Sequence, residues 1–286
     1  MKFGFNVFDR PPEAMVGIAR KAEEVGFESV WMSDHLIWPK EIKSEYPYVP
    51  NPYKGNPPPV GPHTLLGDTL VVLSHVAAVT TKLRLATGVY ILPIRSPIVT
   101  ARAVATLDVV SGGRFSMGVG MGWMPEEFKI AGEGFDDRVE RSEECLGVLK
   151  TLWEDDTSEF HGKFFDFGPA KFEPKPVQKP CPPILFGGES KAAYHRAVRL
   201  GDGFYGLGVY TPDLAAKRVK RLKELRREYG RENEPFEVTL GYGKPTPDEV
   251  QQFAEAGVSR LIVSPWTGGD EFDDLERFAE NLIGKS

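Results

Sequence analysis

Apolar and polar positions along this chain follow two periods, and the period switches back and forth from one end to the other. Phe3, Phe5 and Val7 alternate with Lys2, Gly4 and Asn6, the period of two that predicts a strand. Met15, Ile18, Ala19, Ala22 and Val25 then recur at helical spacing, and Gly26 marks the stop. Val30, Trp31 and Met32 give a second strand over residues 28–34. Asp68 caps a helix through Leu70, Leu73, Val76 and Ala77, and a third strand covers 83–90. Ser96-Pro97 opens a helix that stops at Gly112-Gly113, followed by a strand over 115–120. Val139, Cys145, Leu146, Leu149, Leu152 and Trp153 mark the fourth helix. A strand at 184–186 precedes a helix over 191–200, and a strand at 204–207 precedes a helix opened by Thr211-Pro212. Residues 236–240 read as the seventh strand, and Thr246-Pro-Asp-Glu249 as a capping box. The eighth strand spans 258–263, and Phe272, Leu275, Phe278, Ala279 and Leu282 form the last helix face.

Eight strand–helix pairs in strict alternation predict a closed (β/α)8 TIM barrel, and nothing marks a linker, so residues 1–286 are expected to form a single domain. Two stretches break the rhythm. Residues 36–66 carry Pro39, Pro47, Pro50, Pro52, Pro57, Pro58, Pro59 and Pro62 among Trp38, Tyr46, Tyr48 and Tyr53. A long loop rich in aromatics predicts an ordered lid after the second strand. Residues 155–182, with Phe160, Phe164, Phe165 and Phe167 around Gly162, predict a hairpin inserted between the fourth helix and the fifth strand.

The bulk properties narrow the function classes. With 41% hydrophobic residues over 286 positions, the chain can bury a large core. A net charge of -6 with scattered cations argues against a nucleic-acid partner. No apolar run approaches the roughly 20 residues of a membrane helix. The amino terminus enters a strand pattern directly, so no signal peptide is expected. Cys145 and Cys181 have no partner at metal-ligand spacing, Cys145 reads as a small core residue, and a cytoplasmic location without a bound metal fits them.

A TIM barrel carries its chemistry at the carboxyl ends of its strands. The second strand ends in Asp34 and His35, with Trp38 just beyond, and imidazole passes protons near neutrality. The third ends in Thr87, Gly88 and Val89, then Tyr90. The fourth ends in Gly118, Gly120, Gly122 and Trp123. These glycines resemble half of a dinucleotide motif without its helix start or acidic partner, and are read as room for a flat ring. The fifth ends in Gly187, Gly188, Glu189 and Ser190, where glycines admit a ligand to the backbone and a helix start offers amides to an anion. Each has a structural alternative: Asp34 as a loop cap, His35 as a satisfied surface histidine, the fifth-strand end as a tight turn with a serine cap.

Taken together, these segments resemble the luciferase-like oxidoreductase superfamily, and within it the branch that depends on coenzyme F420. The resemblance rests on Val30-Trp-Met-Ser-Asp-His-Leu36, Leu83-Arg-Leu-Ala-Thr-Gly-Val-Tyr-Ile-Leu-Pro93, Leu107-Asp-Val-Val-Ser-Gly-Gly-Arg114, Gly118-Val-Gly-Met-Gly-Trp123 with Glu126-Glu-Phe128, and Pro183-Ile-Leu-Phe-Gly-Gly-Glu-Ser190 with Leu200-Gly-Asp-Gly203. It implies that His35 lies beside the reactive face of a tricyclic ring as proton donor or substrate holder, with Asp34 orienting it or touching the cofactor. It implies a non-prolyl cis peptide at Gly88–Val89 behind the ring, with Thr87 and Gly120 in the same cofactor site. Gly187, Gly188, Glu189 and Ser190 would receive the cofactor phosphate. Trp38, Tyr90 and Trp123 would line the substrate side, beneath a closing lid.

One departure counts against sugar-phosphate oxidation: the dehydrogenases of that kind carry a carboxylate where Trp123 stands, and Glu126 and Glu127 are close to that position but not at it. The implied activity is hydride transfer between the deazaflavin and a small organic substrate, and the lid aromatics with the mostly apolar strand ends suggest that this substrate is hydrophobic or partly aromatic. The alternatives are an FMN-dependent monooxygenase supplied with reduced flavin by a separate reductase, and a non-catalytic flavin-binding barrel. Relatives pair helices of the first half into homodimers, and the apolar helix at 70–79 is compatible with that.

Overall fold

In a computed structural model describing residues 1–7, 10–47, 60–206, 208 and 210–285, the two periods become alternating strands and helices. The first half contains β1 (Lys2–Asn6), α1 (Pro12–Glu24), β2 (Ser29–Met32), α2 (Thr69–Ala77), β3 (Arg84–Thr87), β4 (Tyr90–Ile91), α3 (Pro97–Val110), β5 (Phe115–Gly120), α4 (Pro125–Ala131) and α5 (Arg138–Glu154). The second contains β6 (Ser158–His161), β7 (Asp166–Ala170), β8 (Ile184–Gly187), α6 (Lys191–Leu200), β9 (Gly203–Gly206), α7 (Pro212–Glu228), β10 (Glu237–Gly241), α8 (Pro247–Ala256), β11 (Arg260–Val263) and α9 (Glu271–Leu282).

Parallel pairing runs in the order β3, β2, β1, β11, β10, β9, β8, β5, and β3 also pairs with β5, closing an eight-stranded TIM barrel. The short β4 continues β3 alongside β5, with Tyr90 opposite Val119. The aromatic-rich insertion is the antiparallel β6–β7 hairpin, with Phe160 opposite Phe167. The predicted lid residues Tyr48 and Tyr53, their prolines from Pro50 to Pro59, and the strand end at Leu207 lie outside the described residues. Among the described residues, no helix is long and apolar enough to cross a membrane.

The alternation in β1 sorts its side chains into two layers. Phe3 and Phe5 point outward against Phe27, Trp266 and Phe278, in the core between wall and helices. Gly4 points inward, where a Cβ would lie 2.6 Å from Ser29 Oγ and 2.8 Å from Trp31 Nε1. That vacancy admits Trp31, fully buried and stacked on Tyr205 at 5.0 Å between ring centroids, with Ala86, Leu185 and Ile262 around them. An aromatic pair buried this fully contributes several kcal/mol, about 25 cal/mol for each Å² of apolar surface removed from water. The barrel is therefore a packed plug below its mouth.

Local signals set the boundaries. Asp68 accepts from the Leu70 and Val71 amides, Ser190 from Ala193, and Thr246 with Glu249 forms the reciprocal capping box. Ser96 makes no side-chain cap, and α3 opens on Pro97 alone. The Leu107–Arg114 segment is structural: Arg114 donates to the Ala77, Thr80 and Leu83 carbonyls and Asp108 accepts from Gln178, fastening α2 and the insertion to the wall. The sequence pattern did not anticipate α4. It is only seven residues long, Met124 gives it no side-chain cap, and Gly132 ends it with φ 78°.

Candidate active site

At the end of β2 the chain turns over the barrel mouth, and its polar residues take separate partners. Ser33 Oγ accepts from Asn6 Nδ2 at 3.2 Å and donates to the Gly88 carbonyl at 3.3 Å. Asp34 is buried, and its carboxylate accepts from the Ile91 amide at 3.0 Å and from Arg95 Nη2 at 2.6 Å, with Thr69 Oγ1 at 3.4 Å. Burial pushes its carboxyl up from the ordinary value, against the pull of Arg95 and the Ile91 amide. Asp34 thus ties the second strand end to the loop after β4.

His35 is held by a different carboxylate. Its Nδ1 lies 2.9 Å from Glu127 Oε2, and Glu127 Oε1 accepts from the Leu36 amide at 2.7 Å and the Ile37 amide at 3.4 Å. The expectation that Asp34 orients His35 is corrected here: its oxygens face Ile91 and Arg95, and the imidazole turns to α4. Next in the chain, Glu126 accepts from the amides of Lys43 and Ser44 and from the Ser44 hydroxyl. Burial works to raise the Glu126 carboxyl, yet these donors bring it down to about 2. Two adjacent acids of α4 thus hold the loop that leaves β2. Around the imidazole, Trp38 and Trp123 present their rings edge-to-face at 5.2 and 6.3 Å, and Tyr46 meets Trp123 at 5.3 Å.

The third strand end carries the non-prolyl cis peptide at Gly88–Val89. Thr87 Oγ1 donates to the Gly118 carbonyl at 2.7 Å. A Cβ on Gly118 would lie 2.0 Å from the Thr87 carbonyl oxygen, and one on Gly120 would lie 2.4 Å from Val89 Cγ2. These glycines accommodate the neighbouring strand's bulge, which corrects their reading as space for a ring. A Cβ on Gly88 would sit 2.9 Å from the Tyr205 hydroxyl, so the bulge rests on the stacked pair. Tyr90 is placed apart from the mouth: its hydroxyl is 3.4 Å from Thr100 Oγ1 on α3, and Arg95 lies over its ring.

At the fifth strand end, Gly188 has φ 131°, and a Cβ there would fall 2.9 Å from the Ala193 Cβ. Glycine lets the turn close against the first turn of α6, whose leading amides have no partner within the helix. Glu189 does not face outward. Its carboxylate accepts from the Tyr210 hydroxyl at 2.6 and 2.7 Å, from Tyr194 at 3.1 Å and from the Gly208 amide at 3.1 Å. Burial first, and then the Glu189 charge, push both phenols up, so they stay protonated donors. Sequence reasoning missed Glu127, Arg95, Tyr194, Tyr205 and Tyr210. Only Glu127 left a signal, as part of the Glu126-Glu-Phe128 match.

A closed parallel barrel with a buried carboxylate–imidazole pair and a glycine turn at one mouth has the architecture of a TIM-barrel enzyme. The chain belongs to the luciferase-like monooxygenase family, whose sequence profile matches residues 1–281, and it is an enzyme of the oxidoreductase type. It is 31% identical over 280 residues to the F420-dependent glucose-6-phosphate dehydrogenase of Amycolatopsis mediterranei strain U-32, covering 95% of this chain and 78% of that one. It is 37% identical over 158 residues to the FMNH(2)-dependent dimethylsulfone monooxygenase of Pseudomonas putida, covering 51% and 43%. The solved structure of an F420-dependent secondary alcohol dehydrogenase with an F420–acetone adduct shares the fold, with a TM-score of 0.79, 19% identity and coverage of 100% and 99%. The family thus includes both F420-dependent and FMN-dependent relatives.

Proposed function

We propose that this chain is an F420-dependent oxidoreductase that moves a hydride between the deazaflavin and a small organic substrate. The observation that carries the reading is the meeting of two features at one mouth: His35 held on Glu127, and the Gly187–Ser190 turn that opens α6. The residues fit a flat ring with a phosphate. Gly88–Val89 and the Trp31–Tyr205 stack would back the ring, with Thr87 and Gly120 fixing that bulge. Gly187, Gly188 and Ser190 would take the phosphate on main-chain amides, while Glu189 holds the turn in shape. When bound, the deazaflavin supplies the hydride chemistry. His35 would give or take the accompanying proton, and Asp34 would keep the strand end rigid through Arg95. Trp38 and Trp123 would wall the substrate against water, which supports an apolar or partly aromatic substrate.

F420 is placed first because the F420-dependent relative matches nearly the whole chain, whereas the FMNH(2)-dependent one matches about half. That second relative supports the runner-up, an FMN monooxygenase served by a separate reductase. We propose further that the enzyme works as a homodimer through α2 and α3, where Val71 and Val99 are each 68% exposed and Val110 is 57% exposed. Light scattering at micromolar concentration tests this, and a monomer refutes it.

Calorimetry of the purified protein with F420 and with FMN tests the cofactor assignment. F420 binding tighter than about 100 µM, roughly 5–6 kcal/mol, with weaker FMN binding is the expected result. The reverse preference moves the assignment to FMN. Binding of neither removes both.

A further inference from the structure

We propose that Glu127 is a positioning residue that fixes His35 as its Nδ1–H tautomer and so leaves Nε2 as the proton-accepting nitrogen. The inference rests on the reading that His35 works at the barrel mouth, and it concerns how that residue is prepared.

The donor–acceptor inventory around Glu127 supports it. Oε1 faces two main-chain amides, Leu36 at 2.7 Å and Ile37 at 3.4 Å, which can only donate. Oε2 faces His35 Nδ1 at 2.9 Å. The Glu127 side chain is 1% exposed, so water does not substitute for these partners. A carboxylate in this place has acceptors only, and a neutral imidazole therefore turns its proton toward it. Among the described residues, no partner competes for Nε2. Asp34 offers no second anchor, because its oxygens serve Ile91, Arg95 and Thr69.

Glutamate is required here because both of its ends meet donors. A glutamine of the same shape has one carbonyl and one amino group. Its carbonyl must stay with the Leu36 and Ile37 amides, which cannot reverse their polarity. The amino group would then face Nδ1, and the imidazole would answer by moving its proton to Nε2. Glu127→Gln thus exchanges the working nitrogen from acceptor to donor at constant shape. The same carboxylate couples the ring to the first residues of the loop after β2, since one residue holds both.

Histidine side-chain nitrogen NMR of the cofactor-free full chain, in alkaline buffer where imidazole is neutral, reads the tautomer directly. There are five histidines, and the His35 signal is assigned by its loss in His35→Asn. The expected result is Nδ1–H in the wild type and Nε2–H in Glu127→Gln. An Nε2–H signal in the wild type overturns the proposal, and that spectrum decides even where the variant does not fold. An unchanged tautomer in folded Glu127→Gln overturns it as well. With substrate in hand, Glu127→Gln lowers kcat by about 10²–10⁴-fold while KM and cofactor affinity hold. Calorimetry on the same samples keeps the two readings apart. If the tautomers switch as expected and neither F420 nor FMN binds, the cofactor assignment falls and the control of His35 by Glu127 stands.

Discussion

Both ends of this barrel pair carboxylates with nitrogen-bearing side chains, yet they are finished differently. At the floor, Arg260 binds Glu28 through Nε at 2.6 Å and Nη2 at 2.7 Å, and its Nη1 reaches both Glu237 and Thr239. The guanidinium also lies 5.4 Å from the Trp31 ring, so each of its three nitrogens and its flat face has a partner. At the mouth, Glu127 takes His35 and two amides, and among the described residues one nitrogen of the imidazole is left over. A closed network holds the fold; a network with one group left over is ready for a ligand. On the proposed function, the same chemistry serves architecture at one end and reaction at the other, and the leftover group tells them apart.

The sharpest way to break this comparison is His35→Ala. Turnover should fall about 10²–10⁴-fold, roughly 3–5 kcal/mol in activation free energy, while calorimetry shows cofactor affinity nearly intact. Unchanged turnover would move the working residue away from the mouth's leftover nitrogen. Arg260→Ala should act on stability instead, by about 3 kcal/mol in chemical denaturation, because it removes the main cationic partner of two carboxylates. Their partial exposure, 22% for Glu28 and 26% for Glu237, keeps the figure at the low end of that range.

Acid titration sharpens the point. Burial works to raise the Glu28 carboxyl, but Arg260 overrides it and holds Glu28 below its ordinary 4.5. A carboxyl depressed in the native state contributes stability above its unfolded value and loses it as pH falls through the folded one. The wild type should weaken below about pH 4.5, and Arg260→Ala should lose part of that acid limb. The smallest effect is Ser190→Ala, about 1 kcal/mol from the missing α6 cap. A loss near 3 kcal/mol would mean that Ser190 does more than cap.

Most of the scaffold was readable in the sequence because its signals are local. Alternation in Phe3–Val7, the caps at Asp68 and Ser190, and the box at Thr246 each need only a few neighbouring residues. Tyr90 shows where local reasoning stops. Counting by twos from Ala86 and Gly88 puts it inside the barrel, but the break between β3 and β4 shifts the count, turning Val89 inward and Tyr90 toward α3. His35 itself was legible as the titratable end of a buried strand. Its anchor was not, since Glu127 lies 92 positions away on a helix too short to announce itself.

Adjacent residues on a helix point about 100° apart, so Glu126 and Glu127 seize separate stations on one crossing chain. Glu127 takes residues 35–37 and Glu126 takes 43–44. An insertion between Ile37 and Lys43 would lengthen the span that the two acids bridge, and so would bear on His35 as well as on Ser44.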